Sequence, residues 1–170
     1  MAMPIALILT AVLQWQPLVM KLVHEATQSH DAVARMLAIV HTESAGKATA
    51  KSPTGALGLG QTTGIARRQC CKLDKRTCGH NPRLPEANLR CAVRLFFYYQ
   101  GRFPGPSLCQ TVRKAVGAYN GGDNHVMRAI KRCGAKWEAC VKPETMRYVP
   151  KVFEAEEDYL AHGVPGTGVC

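Results

Sequence analysis

Aromatic residues are scarce in this chain: Trp, Tyr and Phe together make up 6% of its 170 residues. Nucleic-acid-binding regions interleave cations with aromatic platforms, and neither such a region nor a helix-turn-helix pattern occurs here. Acidic residues are also few, with 12 Asp and Glu against 22 Lys and Arg. Long apolar runs are lacking as well. The N-terminal "MAMPIALILTAVLQWQ" falls short of the ~20 residues a membrane-spanning helix needs. Nothing repeats, no low-complexity linker divides the chain, and strand-like alternation is weak.

What remains describes one domain. A hydrophobic content of 46% over 170 residues suffices for one sizeable core. The formal net charge is +10. Such a surface favours polyanions (nucleic acid, an anionic membrane surface or a negatively charged cell wall), and charge alone does not choose among them.

The eight cysteines are Cys70, Cys71, Cys78, Cys91, Cys109, Cys133, Cys140 and Cys170. An even count points to disulfides and an oxidising compartment. Cys133 and Cys140 are close enough in sequence to be the favoured pair. Cys70, Cys71, Cys78 and Cys91 form a second cluster. Zinc held by Cys70, Cys71, Cys78 and His80 is the alternative there, although the spacing fits no standard zinc template.

Residues 1–14 read either as a weak export signal or as a short helix packed on the domain. They lack the basic start and small-x-small cleavage site of a typical secretory signal, so the packed helix is preferred. Helical periodicity runs through the rest. Trp15, Leu18, Val19, Leu22 and Ala26 share one face. Asp31 is placed to cap a helix carrying Val33, Met36, Leu37 and Val40. Further stripes are Leu89, Ala92, Val93 and Phe96; then Leu108, Val112, Ala115, Val116 and Tyr119 behind a Ser107 cap; then Val126, Ala129 and Ile130 between Asp123 and Gly134. Val149, Val152, Phe153 and Glu156 lie on the last helix. A small hairpin near 52–60 is the only β element considered. The tail 161–170 reads as a flexible end. The fold class expected is therefore all-α or mainly α.

The stripe Val33, Met36, Leu37, Val40 extends to Glu43 and Ser44. A carboxylate there loses solvent, which disfavours its charged form and raises its pKa. A carboxylic acid still protonated near neutrality can serve as a general acid. The plainer reading is a helix end facing water. The loop that follows carries Gly55, Gly58 and Gly60, which permit tight turns and close backbone approach, and then Gln61, a neutral donor and acceptor suited to sugar hydroxyls and amides.

Four blocks then stand in order: Glu43-Ser44, Gly58-Leu59-Gly60-Gln61, Ala118-Tyr119-Asn120 and Glu144-Thr145-Met146-Arg147-Tyr148-Val149. Together they resemble the soluble lytic transglycosylase domain family, which shares the lysozyme-like fold with goose-type lysozymes. Asn88 also matches an Asn that precedes a helix in that family. The resemblance covers roughly residues 15–160, with a Cys-rich insert at 69–80. One departure is visible: Gly60 stands where the family usually has Met, which is expected to widen the sugar site or loosen the loop.

The resemblance implies a catalytic Glu43 that acts first as acid and then as base on the bond between N-acetylmuramic acid and N-acetylglucosamine, closing a 1,6-anhydro ring. It implies substrate contacts from Ser44, Gln61, Tyr119, Asn120 and Tyr148, with Glu144 capping or orienting. For Ser44 the plainer role is a helix-end hydroxyl bonded to its own backbone. For Tyr119 it is a core aromatic. For Asn120 it is a left-handed helix stop. No metal and no cofactor are expected. The expected partner is the peptidoglycan glycan strand rather than nucleic acid, in the periplasm or cell envelope or delivered there by a virion. The isolated chain is expected to be a monomer, with an envelope-spanning or virion assembly as a setting for it. The basic residues Arg67, Arg68, Lys72, Lys75, Arg76, Arg83, Arg90 and Arg94 crowd one region and are suited to electrostatic capture of the wall. The rival functions are a hydrolytic muramidase on the same fold and a non-catalytic wall-binding or virion component.

Overall fold

The stripe Val33, Met36, Leu37, Val40 becomes the centre of the molecule. It lies on α3 (Val33–Ser44), where every residue from Val33 to Val40 is buried. Each fully buried Val or Leu contributes about 1.5–3 kcal/mol. The computed structural model describes residues 5–170, so Met1–Pro4, the start of the N-terminal segment, lie outside the described residues. Against α3 pack α1 (Ile5–Leu13), α2 (Gln16–Thr27) and α8 (Pro143–Ala161); α5 (Pro85–Arg102) packs on α2, α4 (Gly64–Leu73) on α5, α6 (Leu108–Gly121) on α5 and α8, and α7 (Asp123–Cys133) on α6. Short 3₁₀ segments follow α4 at Lys75–Thr77 and α7 at Gly134–Cys140. Among the described residues there is no sheet; the region of the expected hairpin holds only isolated bridges, Lys51 with Leu57 and Leu57 with Thr62.

Caps explain several boundaries. Ser107 accepts a hydrogen bond from the Gln110 N–H and so starts α6 as expected. Gly134 ends α7 with φ 55°. Asp31, by contrast, does not cap α3. The N-cap is Ala32, without a side-chain bond, and the Asp31 carbonyl accepts instead from Thr167 N–H at 3.0 Å.

That bond belongs to a correction about the tail. Residues 163–170 are tied down rather than loose. Pro165 accepts from Ala34 N–H at 3.0 Å, Val164 is buried, and Cys170 is bonded to Cys109 on α6. Arg35 donates to the Thr167 carbonyl at 3.1 Å and makes a buried two-pronged pair with Glu156 of α8, at 3.0 and 2.7 Å. Removing one partner of such a pair strands a buried charge and costs about 3–5 kcal/mol.

The remaining disulfides are Cys70–Cys91, Cys71–Cys78 and Cys133–Cys140. Cys133 and Cys140 are the pair that proximity favoured. The zinc alternative loses its ligands, because Cys70, Cys71 and Cys78 all carry disulfides. The Cys-rich insert thereby becomes a staple. It fastens α4 to α5, and Arg76 reaches Glu25 on α2 at 3.2 Å.

Candidate functional site

The turn after Glu43 is held by the N-terminal helices. Ala45 closes α3 in the left-handed region, with φ 49°. Gly46, at φ 78°, packs so closely on α1 that a Cβ would meet the Ala11 carbonyl carbon at 2.8 Å. Trp15 Nε1 donates to the Gly46 carbonyl at 2.9 Å. Leu9 and Val12 on α1 are buried in the same core as α3. Leu9, Ala11, Val12 and Trp15 thus brace the loop that begins at the candidate acid.

The glycine loop is clamped by one side chain. Asn88 is buried at the start of α5. Its Oδ1 accepts from Gly60 N–H at 2.7 Å, and its Nδ2 donates to the Leu57 and Pro82 carbonyls at 2.8 Å each. From α6, the Tyr119 hydroxyl donates to the Gly60 carbonyl at 2.7 Å. Gly60 is therefore bonded at both its N–H and its C=O. A Cβ there would lie 2.7 Å from Ala92 Cβ and 2.7 Å from the Tyr119 hydroxyl. The expectation of a loosened loop is corrected: the space that a side chain would take is filled by Tyr119. Gly60→Met is accordingly expected to displace Tyr119 and to cost about 1–3 kcal/mol, as overpacking does. Thermal melting of the variant checks this; an unchanged Tm would show that the pocket yields freely.

Glu43 lies half-buried at the last turn of α3. Its carboxylate accepts from the Tyr148 hydroxyl on α8 at 2.7 Å. Burial pushes its pKa up to about 7; the Tyr148 hydrogen bond opposes that rise and the charge of Glu144 adds to it. Glu144 is exposed in the first turn of α8.

The other predicted residues divide. Gln61, Tyr119 and Asn120 line a cavity of about 320 Å³ between the loop, α4, α5 and α6. The Gln61 amide nitrogen donates to the Gly58 carbonyl at 2.9 Å and the Ala50 carbonyl at 3.2 Å, while its oxygen accepts no hydrogen bond among the described residues. Asn120 is inside α6 and accepts from Thr145 at 2.8 Å; Gly122, at φ 83°, takes the left-handed position expected of Asn120. Ser44 is buried and donates back to the Val40 carbonyl at 3.1 Å, the self-bonding alternative. Glu43 and Tyr148 do not line this cavity. Tyr119 connects the two places: it lines the cavity, and its phenol pKa is raised by burial and then by the charge of Glu43.

Sequence reasoning missed Tyr98, Tyr99 and Ile65. All three line the cavity, and Ile65 is 74% exposed at its edge. A signal existed. In a chain so poor in aromatics, "FFYYQ" puts Tyr99 on the extension of the α5 stripe, three residues past Phe96, and Tyr98 beside it.

The expected basic region is partly neutralised. Asp74 binds Arg76 at 2.9 Å and Arg94 at 3.2 Å, and Arg76 first among these holds its pKa down to about 2. Arg90 pairs with Glu25 and Glu86, and Lys21 with Glu86.

Comparison with known proteins bears on the fold that carries this site. The family model described as the transglycosylase SLT domain matches residues 22–139. A search of curated proteins finds no match. The 70 kDa soluble lytic transglycosylase of Escherichia coli superposes with a TM-score of 0.69 at 22% identity. A complex of the 70-kDa soluble lytic transglycosylase with bulgecin A gives 0.72 at 20%. An inactive Glu-to-Gln mutant of the lytic transglycosylase Slt from Pseudomonas aeruginosa gives 0.69 at 23%. Each alignment covers 88% of this chain and 25% of the other, so the chain spans about a quarter of their length and the likeness is one of fold.

Proposed function

The chain belongs to the transglycosylase SLT domain family, and from that premise we propose that it is a peptidoglycan lytic transglycosylase with Glu43 as its acid and base. The observation that carries the reading is the carboxyl of Glu43, raised to about 7 by burial and hydrogen-bonded to Tyr148. A group so poised is protonated in a useful fraction at neutral pH.

In the proposed reaction Glu43 gives its proton to the glycosidic oxygen between N-acetylmuramic acid and N-acetylglucosamine, and the bond from that oxygen to the muramoyl anomeric carbon breaks. The muramoyl 6-hydroxyl then attacks the anomeric carbon and returns a proton to Glu43. The product is a 1,6-anhydro end, and no water is consumed. The cavity between Gln61, Tyr99, Tyr119 and Asn120 is suited to sugar rings, since tyrosine offers an apolar face and a polar tip. The open oxygen of Gln61 is available to an acetamide N–H. The Tyr119 hydroxyl is committed to Gly60, so Tyr119 would present its ring. Ser44, bonded to its own helix, would contribute only as an acceptor. The four disulfides favour an oxidising setting such as the periplasm or the envelope, or delivery there by a virion.

Mass spectrometry of digested wall tests the reading. Anhydromuramic ends are expected, and reducing ends would instead favour a hydrolytic muramidase. That rival has a specific observation behind it: the charge of Glu144 reaches Glu43, and hydrolysis by two carboxylates needs a second acid. Asp123, the acid that lines the cavity, is paired with Arg102 at 3.2 Å.

Tyr148→Phe is a second test. The Tyr148 hydroxyl stabilises the ionised form of Glu43, so its loss should raise the pKa of Glu43 further. Wild-type activity should fall as pH rises through about 7, and in the variant that alkaline limb should move to higher pH. A limb that stays in place would separate Tyr148 from the titration of the acid.

A further inference from the structure

α4 forms one wall of the cavity while burying little of itself. Ile65, Ala66 and Gln69 line the cavity. Among the described residues of α4, Cys70 alone is buried. The helix packs mainly on α5 and on the 3₁₀ segment that follows it. The bonds at its start are local: Thr63 accepts from the Ala66 N–H, and Arg67 donates to the Thr62 carbonyl at 2.6 Å. Its far end is tied to α5 by Asp74, which binds Arg94 at 3.2 Å. Beside the cavity the tie to α5 is the Cys70–Cys91 disulfide.

That bond lies directly behind the wall. Cys70, Cys91 and Leu95 make a small buried cluster of their own, and Ala66, Tyr99 and Tyr119 pack against it. Ala66, Leu95, Tyr99 and Tyr119 also line the cavity. The disulfide is thus one side chain away from the space it shapes. Three buried residues are a weak hold, and segments with few buried apolar contacts open at low free-energy cost. Glu43 and Tyr148, by contrast, stand on α3 and α8, which pack on one another in the main core.

We propose that the Cys70–Cys91 disulfide positions the α4 wall of the cleft, so that its reduction disables substrate binding and leaves the Glu43 centre assembled. The inference rests on the proposed glycan substrate and adds to it the condition under which the cleft is complete. A dithiol passes two electrons and two protons to the bond, which becomes two thiols while the dithiol becomes a disulfide. α4 then keeps its hold at Asp74 and loses the one beside the cavity. Ile65, Ala66 and Gln69 are no longer fixed against Leu95 and Tyr99. The chain therefore grips a strand in an oxidising compartment and not in a reducing one.

The test compares Cys70→Ala/Cys91→Ala with Cys71→Ala/Cys78→Ala, which opens the other disulfide of the insert. In the first variant KM for glycan strands should rise about tenfold with kcat little changed, the mark of lost binding rather than lost chemistry. The alkaline limb of its pH profile should stay where wild type has it. The second variant should keep the wild-type KM. Added dithiol should then raise the KM of the second variant and not that of the first. A fall in kcat at unchanged KM, a shifted limb, an equal rise in both variants or a dithiol response common to both overturns the proposal. Hydrogen exchange supplies a measurement that needs no turnover. Amides of α4 should exchange faster in Cys70→Ala/Cys91→Ala, while those of α3 and α8 keep their protection. If oxidised wild type cleaves no strands, it is the lytic reading that fails, and exchange alone judges the wall. Faster exchange confined to α4 supports the proposal. Unchanged exchange, or loss of protection that spreads to α3 and α8, makes the bond a general staple and overturns it.

Discussion

Replacing Glu43 with Gln is expected to slow wall lysis roughly a hundred- to ten-thousand-fold, the range that a lost general acid–base group spans. Gln keeps the shape and can still accept the Tyr148 hydrogen bond, but it has no proton to give. Turbidity loss of purified peptidoglycan and the yield of anhydromuramic ends measure the effect. Retained lysis would move the acid elsewhere, with Glu144 next in line. The same substitution should stabilise the fold at neutral and alkaline pH. Burial raises the folded-state pKa of Glu43 from 4.5 to about 7, so the protonated side chain suits the fold and the ionised one does not. The stability associated with the proton is fully present below pH 4.5 and is lost as pH rises through about 7. Gln, neutral throughout, avoids that loss. The stability of the variant, followed by its Tm, should therefore gain on wild type between pH 5 and 8, by an amount on the order of 3 kcal/mol at most. A Tm difference that is flat with pH would show that Glu43 is solvated.

The second large effect is on stability. Reduction of the four disulfides should lower Tm by about 20 °C, since each contributes about 2–4 kcal/mol and 1 kcal/mol is worth a few degrees in a domain of this size. The contributions should be unequal. Cys109–Cys170 spans 61 residues, whereas Cys71–Cys78 and Cys133–Cys140 each span 7. A longer closed loop removes more freedom from the unfolded chain. Replacing Cys109 and Cys170 with Ser should thus cost more than replacing Cys133 and Cys140. It should also free the tail from α6, which proteolysis of residues 163–170 would detect. An unchanged Tm in reductant would mean that the thiols are not paired.

The helical class and the placing of Glu43 were legible because both depend on local spacing. A 3.6-residue period declares a buried face, and any residue on the extension of that face inherits its desolvation. The Cys133–Cys140 pair was legible for the same reason of proximity. What was not legible depends on partners far along the chain. The tail is rich in Gly and Pro and reads as loose, but it is fixed by Asp31, Ala34, Arg35 and Cys109. Asp31 looked like a cap until the tail supplied its carbonyl with a donor. Gly60 looked like a missing contact because the hydroxyl that fills its space belongs to Tyr119, 59 residues on. Tyr98 and Tyr99 went unread because periodicity ranks residues by burial, and a cleft wall is only half-buried.

Helices α3 and α8 are cross-linked at two levels, by Arg35 with Glu156 and by Glu43 with Tyr148. The two levels are eight residues apart on each helix, and the chain directions are opposed. They are thus about 12 Å apart along the axes. A slip of one helix past the other by a single turn would break both rungs together. The gap between the carboxyl and the phenol is therefore a matter of register, graduated like a ruler whose zero mark is the buried ion pair. Length changes in the loops at either end can bend the chain's path without resetting that scale.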